Sequence, residues 1–418
     1  MKKMILFIIL LVMSLGCFAQ TMKVQSAIAD FNAQRYGRAK ENIDAAVQDE
    51  KTKTEPKTWY YSGLIYAKLV ELATSSESKD EKLFKKQKIS EPVDTLAYRA
   101  KNSLMKSIEI EKTAKTQEFI QNAMQTLDFV SQYFIRQCYD LFNTQKYNEA
   151  INLSSEVAKM GDLTKSESGK IFSINAKYII ASAYKELKNN EKANEMYREL
   201  VRLKTGEMDV YLNLFAANLA EKDTTKAINV LKAGIKNIPD TTQGNFQVKS
   251  ALAGLYLRMG NTEEGNKLVD DLITKTGNNF QKLNTLANEL STAGGELKAI
   301  ELYNKSLQIK SEQIGANFGL GLIHFNKAAD YVHMGNEFAD QGKYSEADKH
   351  DAMALDEFKN AIPYFNKVLE LDPKNFNSLS ALRTIYLRLK PRATEDEKAL
   401  YDTEYQKVDA VYQSLIKK

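Results

Sequence analysis

Residues 361–373 read AIPYFNKVLELDP. Ala361 is followed four positions on by Phe365 and seven on by Val368, the apolar face of an amphipathic helix, and Pro373 closes the run. The same face recurs in NNEKANEMYRELV (189–201), DTTKAINVLKAGI (223–235) and GELKAIELYNKSL (295–307). Aligned on the small residue, the series is Ala39, Ala100, Ala150, Ala193, Ala227, Gly265, Ala299 and Ala361, at intervals of 61, 50, 43, 34, 38, 34 and 62. Small residues at helix crossings let backbones approach, and large ones fill the gaps between crossings. One hairpin cannot bury its own apolar face, so such units have to stack.

The pattern resembles the tetratricopeptide-repeat family, whose unit is a helical hairpin of about 34 residues. Trp59, Gly63 and Tyr66 fit its first-helix positions four, eight and eleven. So do Ala181 with Tyr184, Ala253 with Tyr256, and Gly321 with His324. The second-helix alanine and its large partner appear as Ala193–Tyr197, Ala227–Leu231, Ala299–Tyr303 and Ala361–Phe365, and the closing proline as Pro239 and Pro373. Gly265 replaces the alanine, Ser154 the large residue after Ala150, and Asn218 the expected tyrosine. The resemblance covers residues 22–390, about nine units. It implies an all-α tetratricopeptide-repeat solenoid, a right-handed superhelix with an inner and an outer surface, regular over about 170–325.

Two long intervals mark insertions. Residues 73–88, ATSSESKDEKLFKKQK, are polar and rich in Ser and Lys, so about 73–92 reads as a mobile polar loop between helix extensions. The second insertion, about 326–360, keeps helical spacing at Ala328, Tyr331, Val332, Phe338 and Ala339, with a turn at Asp340-Gln341-Gly342. It reads as a longer hairpin, each arm extended by about 14 residues, with Pro363 at its seam. Residues 394–417 read as a terminal capping helix.

Composition sets outer limits. The 418 residues carry 58 Lys plus Arg against 54 Asp plus Glu, which argues against a protein built to hold nucleic acid. Six prolines and 19 glycines favour helix over a many-turned β architecture. The leader MKKMILFIILLVMSLGCFAQ has a basic start, an apolar run from Met4 to Leu15 too short to span a membrane, and small residues before a cut placed after Ala19. Residues 1–19 are therefore read as a signal peptide and 20–418 as the exported chain, with no transmembrane helix, bound for a periplasm or the outside of a bacterial cell. A second reading stays open: Leu15-Gly16-Cys17 resembles the end of a lipobox, with Ser14 where a large aliphatic residue is wanted, which would give an outer-membrane lipoprotein or peripheral association with that membrane. After the cut Cys138 is the sole cysteine, so no internal disulfide forms.

No catalytic motif is present: no Walker loop, zinc-protease helix or serine elbow. The glycines of GANFGLG (315–321) follow no strand signal and read as helix packing. His333 and His350, with Glu337 and Glu346, would face each other across the second insertion. They are set against a plain reading as solvated helix residues, and no metal, cofactor or enzymatic activity is assigned. Trp59 and Cys138 read as core, and the basic run Lys82–Lys88 as solvated.

The resemblance implies a protein or peptide partner. Family first-helix positions that face the groove are Tyr178, Ser182, Lys185, Leu212, Leu219, Leu257, Asn284, Asn288, Phe318, Leu322 and Phe325. Tyr178 and Ala251 stand where family members that clamp acidic tails carry lysine and arginine, so that mode is rejected. A partner polypeptide in the concave groove is expected. The alternatives are a structural subunit of an envelope or secretion assembly using its inserted hairpins, and an outer-membrane carbohydrate-capture protein.

Overall fold

In a computed structural model, residues 22–292 and 294–416 are described. Among them every regular element is helical, and there is no strand. The leader and its cleavage site lie outside the described residues. The chain forms two compact units that meet at Thr205 and Gly206.

The first unit contains α1 (22–32), α2 (Tyr36–Val47), α3 (Pro56–Thr74), α4 (Ser78–Lys86), α5 (Val93–Ala114), α6 (Ile120–Asn143), α7 (Tyr147–Thr164), α8 (Glu167–Glu186) and α9 (Asn190–Arg202). Apart from α4, these pair as antiparallel hairpins, and α6 also lies against α8. The second unit contains α10 (Met208–Ala220), α11 (Thr224–Asn237), α12 (Gln243–Arg258), α13 (Thr262–Thr276), α14 (Phe280–Thr292), α15 (Glu296–Ile309), α16 (Ile314–Asp340), α17 (Tyr344–Leu371), α18 (Phe376–Leu389) and α19 (Glu395–Ile416).

The small-residue register explains the packing. Ala39, Ala100, Ala150, Ala193, Ala227, Gly265, Ala299 and Ala361 are all buried. In α9 the buried face is Ala193, Tyr197 and Leu200, and in α11 it is Ala227, Leu231 and Gly234, the spacing read from the sequence. Helix starts are fixed by side-chain caps at Ser166, Asn189, Asp223, Thr242 and Asn375, each accepting from the backbone N–H three residues on.

The turn inside seven of the hairpins repeats as well. Gln34, Gln145, Lys188, Lys222, Gly260, Gly294 and Gly342 hold φ between 58° and 90°. The next residue's N–H donates back across the helix end, as in Asn189 to Tyr184 (2.8 Å), Asp223 to Asn218 (2.9 Å) and Lys343 to Phe338 (2.9 Å). This left-handed C-terminal closure satisfies carbonyls that the helix end leaves open. Four of the seven positions carry Gln or Lys, which hides the repeat from a search for glycine.

The two insertions differ from each other. Residues 78–86 form α4 where the sequence reads as a loop; Asp80 and Glu81 at its start and Lys85 and Lys86 at its end favour the helix electrostatically. No residue of α4 is buried. The second insertion runs as continuous helix on both arms, and α17 passes through Pro363 without interruption. The C-terminal α19 packs Tyr401 and Val408 against α18, and Asp409 accepts from Arg383 at 2.6 Å.

Candidate functional site

The eleven residues read as groove-facing divide between the units. Tyr178, Ser182 and Lys185 lie on α8 in the first; the other eight lie on α10, α12, α14 and α16 in the second. On each helix with more than one of them the successive spacing is three, four or seven residues, so they share a face. Within the second unit α10 packs on α12, α12 on α14 and α14 on α16. The first helices of successive hairpins are therefore direct neighbours, and their faces adjoin.

The structure separates these residues by what they touch. Leu212 and Leu219 on α10 are half-buried, and Leu322 on α16 is 39 % exposed. Leu257 instead fills the space over Gly265: a Cβ there would meet its Cδ2 at 2.7 Å. Phe318 and Phe325 pack edge-on against Phe365 and Phe358, with centroids 5.8 and 5.6 Å apart. Asn284 donates from Nδ2 to Gln313 Oε1 at 2.7 Å, while its buried Oδ1 has no partner among the described residues. Asn288 accepts from the Tyr303 hydroxyl. Tyr178 and Ser182 are half-buried and Lys185 is exposed. Packing thus claims the two phenylalanines and Leu257, while Leu212, Leu219 and Leu322 offer apolar surface.

Other sequence candidates settle as follows. Trp59 is half-buried, and its indole N–H donates to the Lys53 carbonyl at 2.6 Å, so it is less deeply set than a core reading implies. Cys138 is fully buried, and burial pushes its thiol up to about 11. His350 stacks on Phe338 with centroids 5.0 Å apart, and its Nδ1 lies 2.8 Å from the Glu346 carbonyl. His333 is mostly exposed. No group of three or more His, Cys, Asp or Glu suited to a metal occurs among the described residues. Nor is any described helix long and apolar enough to cross a membrane.

Three polar constellations escaped the sequence reading. Glu357 on α17 is bonded by His324 Nδ1 at 2.6 Å and by the Lys327 ammonium, and His324 lies flat against Tyr364. Burial opposes the Glu357 charge, but these bonds outweigh it and hold the carboxyl below its ordinary range. Tyr66 is buried and donates to Asp44 at 2.5 Å while accepting from Arg99 at 2.6 Å. Burial first, then the Asp44 bond, push its hydroxyl upward. Glu111, fully buried, accepts from the backbone N–H groups of Glu118 and Phe119, both at 2.9 Å, and so ties the α5–α6 turn. All three depend on partners distant in sequence or lying in turns, which helical periodicity does not report.

Against known proteins, the tetratricopeptide-repeat family model matches residues 174–206 and 352–375, which span α8–α9 and the end of α17. No curated protein matches the chain. Among solved structures, yeast Tom70 is 11 % identical, covers 94 % of this chain and 89 % of its own, and has a TM-score of 0.34. YrrB, described as a TPR protein with an unusual peptide-binding site, is 13 % identical over 44 % of this chain and 88 % of its own, with a TM-score of 0.30. A TPR repeats protein from Bacteroides fragilis is 20 % identical over 61 % and 97 %, with a TM-score of 0.23.

Proposed function

We propose that this all-α chain of tetratricopeptide-type hairpins is a non-catalytic interaction scaffold of the bacterial cell envelope, exported by its leader and binding a partner polypeptide on the first-helix face of its second unit. The observation that carries this reading is the run of adjoining first helices α10, α12, α14 and α16, which leaves Leu212, Leu219 and Leu322 partly uncovered. Apolar side chains collected on one face of a repeat stack are a contact surface. The leader supports export, with the soluble periplasmic or secreted form preferred to the lipid-anchored one because Ser14 departs from the lipobox pattern.

The test is capture of a partner by crosslinking in bacterial envelopes, followed by affinity measurement with the purified partner. Leu219→Ala and Leu322→Ala are each expected to weaken binding by about 1–2 kcal/mol with little change in melting. Phe325 is unsuitable as a probe because it also packs against Phe358. Normal binding by both leucine variants, with loss of binding on removing 328–357, would move the contact from the first-helix face to the long hairpin. Cleavage after Ala19 is checked by mass spectrometry of the mature chain; acylation at Cys17 would establish the anchored form instead.

A further inference from the structure

We infer that the first unit holds a second, separate binding site: a basic cleft, closed by the first insertion, that takes an acidic segment of a polypeptide. The cleft measures about 650 Å³, within the range of ligand-holding pockets. One wall is the start of α2, with Arg35, Arg38 and Lys40; the other is the end of α4 and the residues after it, with Lys86 and Lys88.

The walls are held together by Gln87. Its Oε1 accepts from the Gly37 N–H at 2.9 Å, and its Nε2 donates to the Leu83 carbonyl at 3.0 Å. Gly37 is required by this approach, because a Cβ there would sit 2.4 Å from the Gln87 carbonyl oxygen. The insertion is thus seated on α2 at a defined point although α4 buries none of its own residues.

The lining carries five cations against two carboxylates, Glu41 and Glu91. Two of the cations are balanced: Arg35 pairs with Asp30 at 2.7 Å, and Lys40 with Asp44 at 2.9 Å and Glu91 at 3.1 Å. Among the described residues Arg38, Lys86 and Lys88 are in no ion pair, and Glu41 is the one lining carboxylate likewise unpaired. The cleft therefore presents uncompensated positive charge from both walls, although the whole chain is close to neutral.

The occupant follows from the rest of the lining. A compact phosphate at the start of α2 would want its free backbone N–H groups, and Gln87 already takes that of Gly37. Leu83 and Ile89 supply apolar lining, and the cations are spread over two walls instead of converging on one point. Spaced cations with interleaved apolar groups fit spaced carboxylates on a chain that also carries apolar side chains.

The experiment titrates the full mature chain into a fluorescein-labelled peptide of alternating glutamate pairs and leucines, read by anisotropy. Saturable binding is expected, weakening at least tenfold between about 50 mM and about 500 mM salt. The double variant Arg38→Glu with Lys88→Glu should lose at least tenfold in affinity while its melting curve matches wild type, and Leu219→Ala on the other unit should bind unchanged. Should the double variant melt early, the milder Lys86→Gln must still lose affinity. The proposal is overturned if the charge variants bind as wild type, if the peptide does not bind, or if orthophosphate or phosphatidylglycerol vesicles bind and the peptide does not. A lost effect of Leu219→Ala on the captured partner would count against the first-helix surface alone.

Discussion

The chain departs from its repeat length twice, and the two departures are built in opposite ways. Residues 326–360 extend a hairpin: Ala328, Ala354 and Phe358 are buried, and aromatic rings line the seam from Phe325–Phe358 to Phe338–His350. Residues 73–92 hold a short helix with no buried residue, tied down by the Gln87 amide and by Glu91, which reaches Lys40. An insertion that keeps apolar periodicity lengthens the core it grows from. One that lacks it docks through polar bonds and the partly buried Leu83, Phe84 and Ile89, and leaves a cleft at the join.

The largest expected effect tests that contrast. Phe358→Ala empties a site 3 % exposed between Phe325 and its neighbours, and should cost about 3–5 kcal/mol. Phe84→Ala, at a half-buried position on the otherwise mostly exposed α4, should cost about 1 kcal/mol, since only part of its area leaves water there. Urea denaturation of the two variants measures both. Equal costs would mean that α4 belongs to the core of the first unit after all.

The next effect is smaller and depends on pH. The His324 and Lys327 bonds hold Glu357 below its ordinary value of 4.5, so folding favours the ionised carboxylate. The stabilisation is present above that value and is lost as pH falls through the lowered folded-state value. Glu357→Gln should remove about 1 kcal/mol at neutral pH and flatten the loss of stability between about pH 5 and about pH 3. Thermal melts across that range decide; a variant that keeps the wild-type acid limb would place the titrating group elsewhere.

How much of this was legible depends on the range of the interaction. The register of small residues reads straight off the sequence because Ala193, Ala227 and Ala361 repeat with their large partners at helical spacing, and each is buried. The long hairpin is visible for the same reason. Lys188 and Lys222 conceal turns that Gly260 and Gly342 reveal, because the left-handed conformation is imposed by the helix end and not chosen by the residue. Family groove positions place Leu219 and Phe325 alike, yet Phe325 packs against Phe358 across the extended hairpin, a contact that only the insertion creates. The cleft at Gly37 was not readable at all. The basic run Lys82–Lys88 is visible, but its facing wall lies some fifty residues earlier, and the bond that joins them comes from a single glutamine amide.

The smallest effect is a swap between the insertions. Both place one residue in the left-handed region just beyond a helix: Lys88 after α4, with φ of 53°, and Gly342 after α16, with φ of 73°. At Gly342 a Cβ would meet nothing within 4 Å, so Gly342→Ala introduces no clash. Its cost is the conformational preference alone, about 1 kcal/mol. Lys88→Gly relieves that same preference, but it also loosens the unfolded chain, so the net gain should be about 0.5 kcal/mol. The gain should appear as slower proteolysis within 73–92, because α4 opens locally long before its unit unfolds. Gly342→Ala should act on the melt of the second unit, because the turn is continuous with a buried seam. If Lys88→Gly instead speeds cleavage, the lysine side chain itself holds the wall of the cleft, and its role there is structural before it is electrostatic.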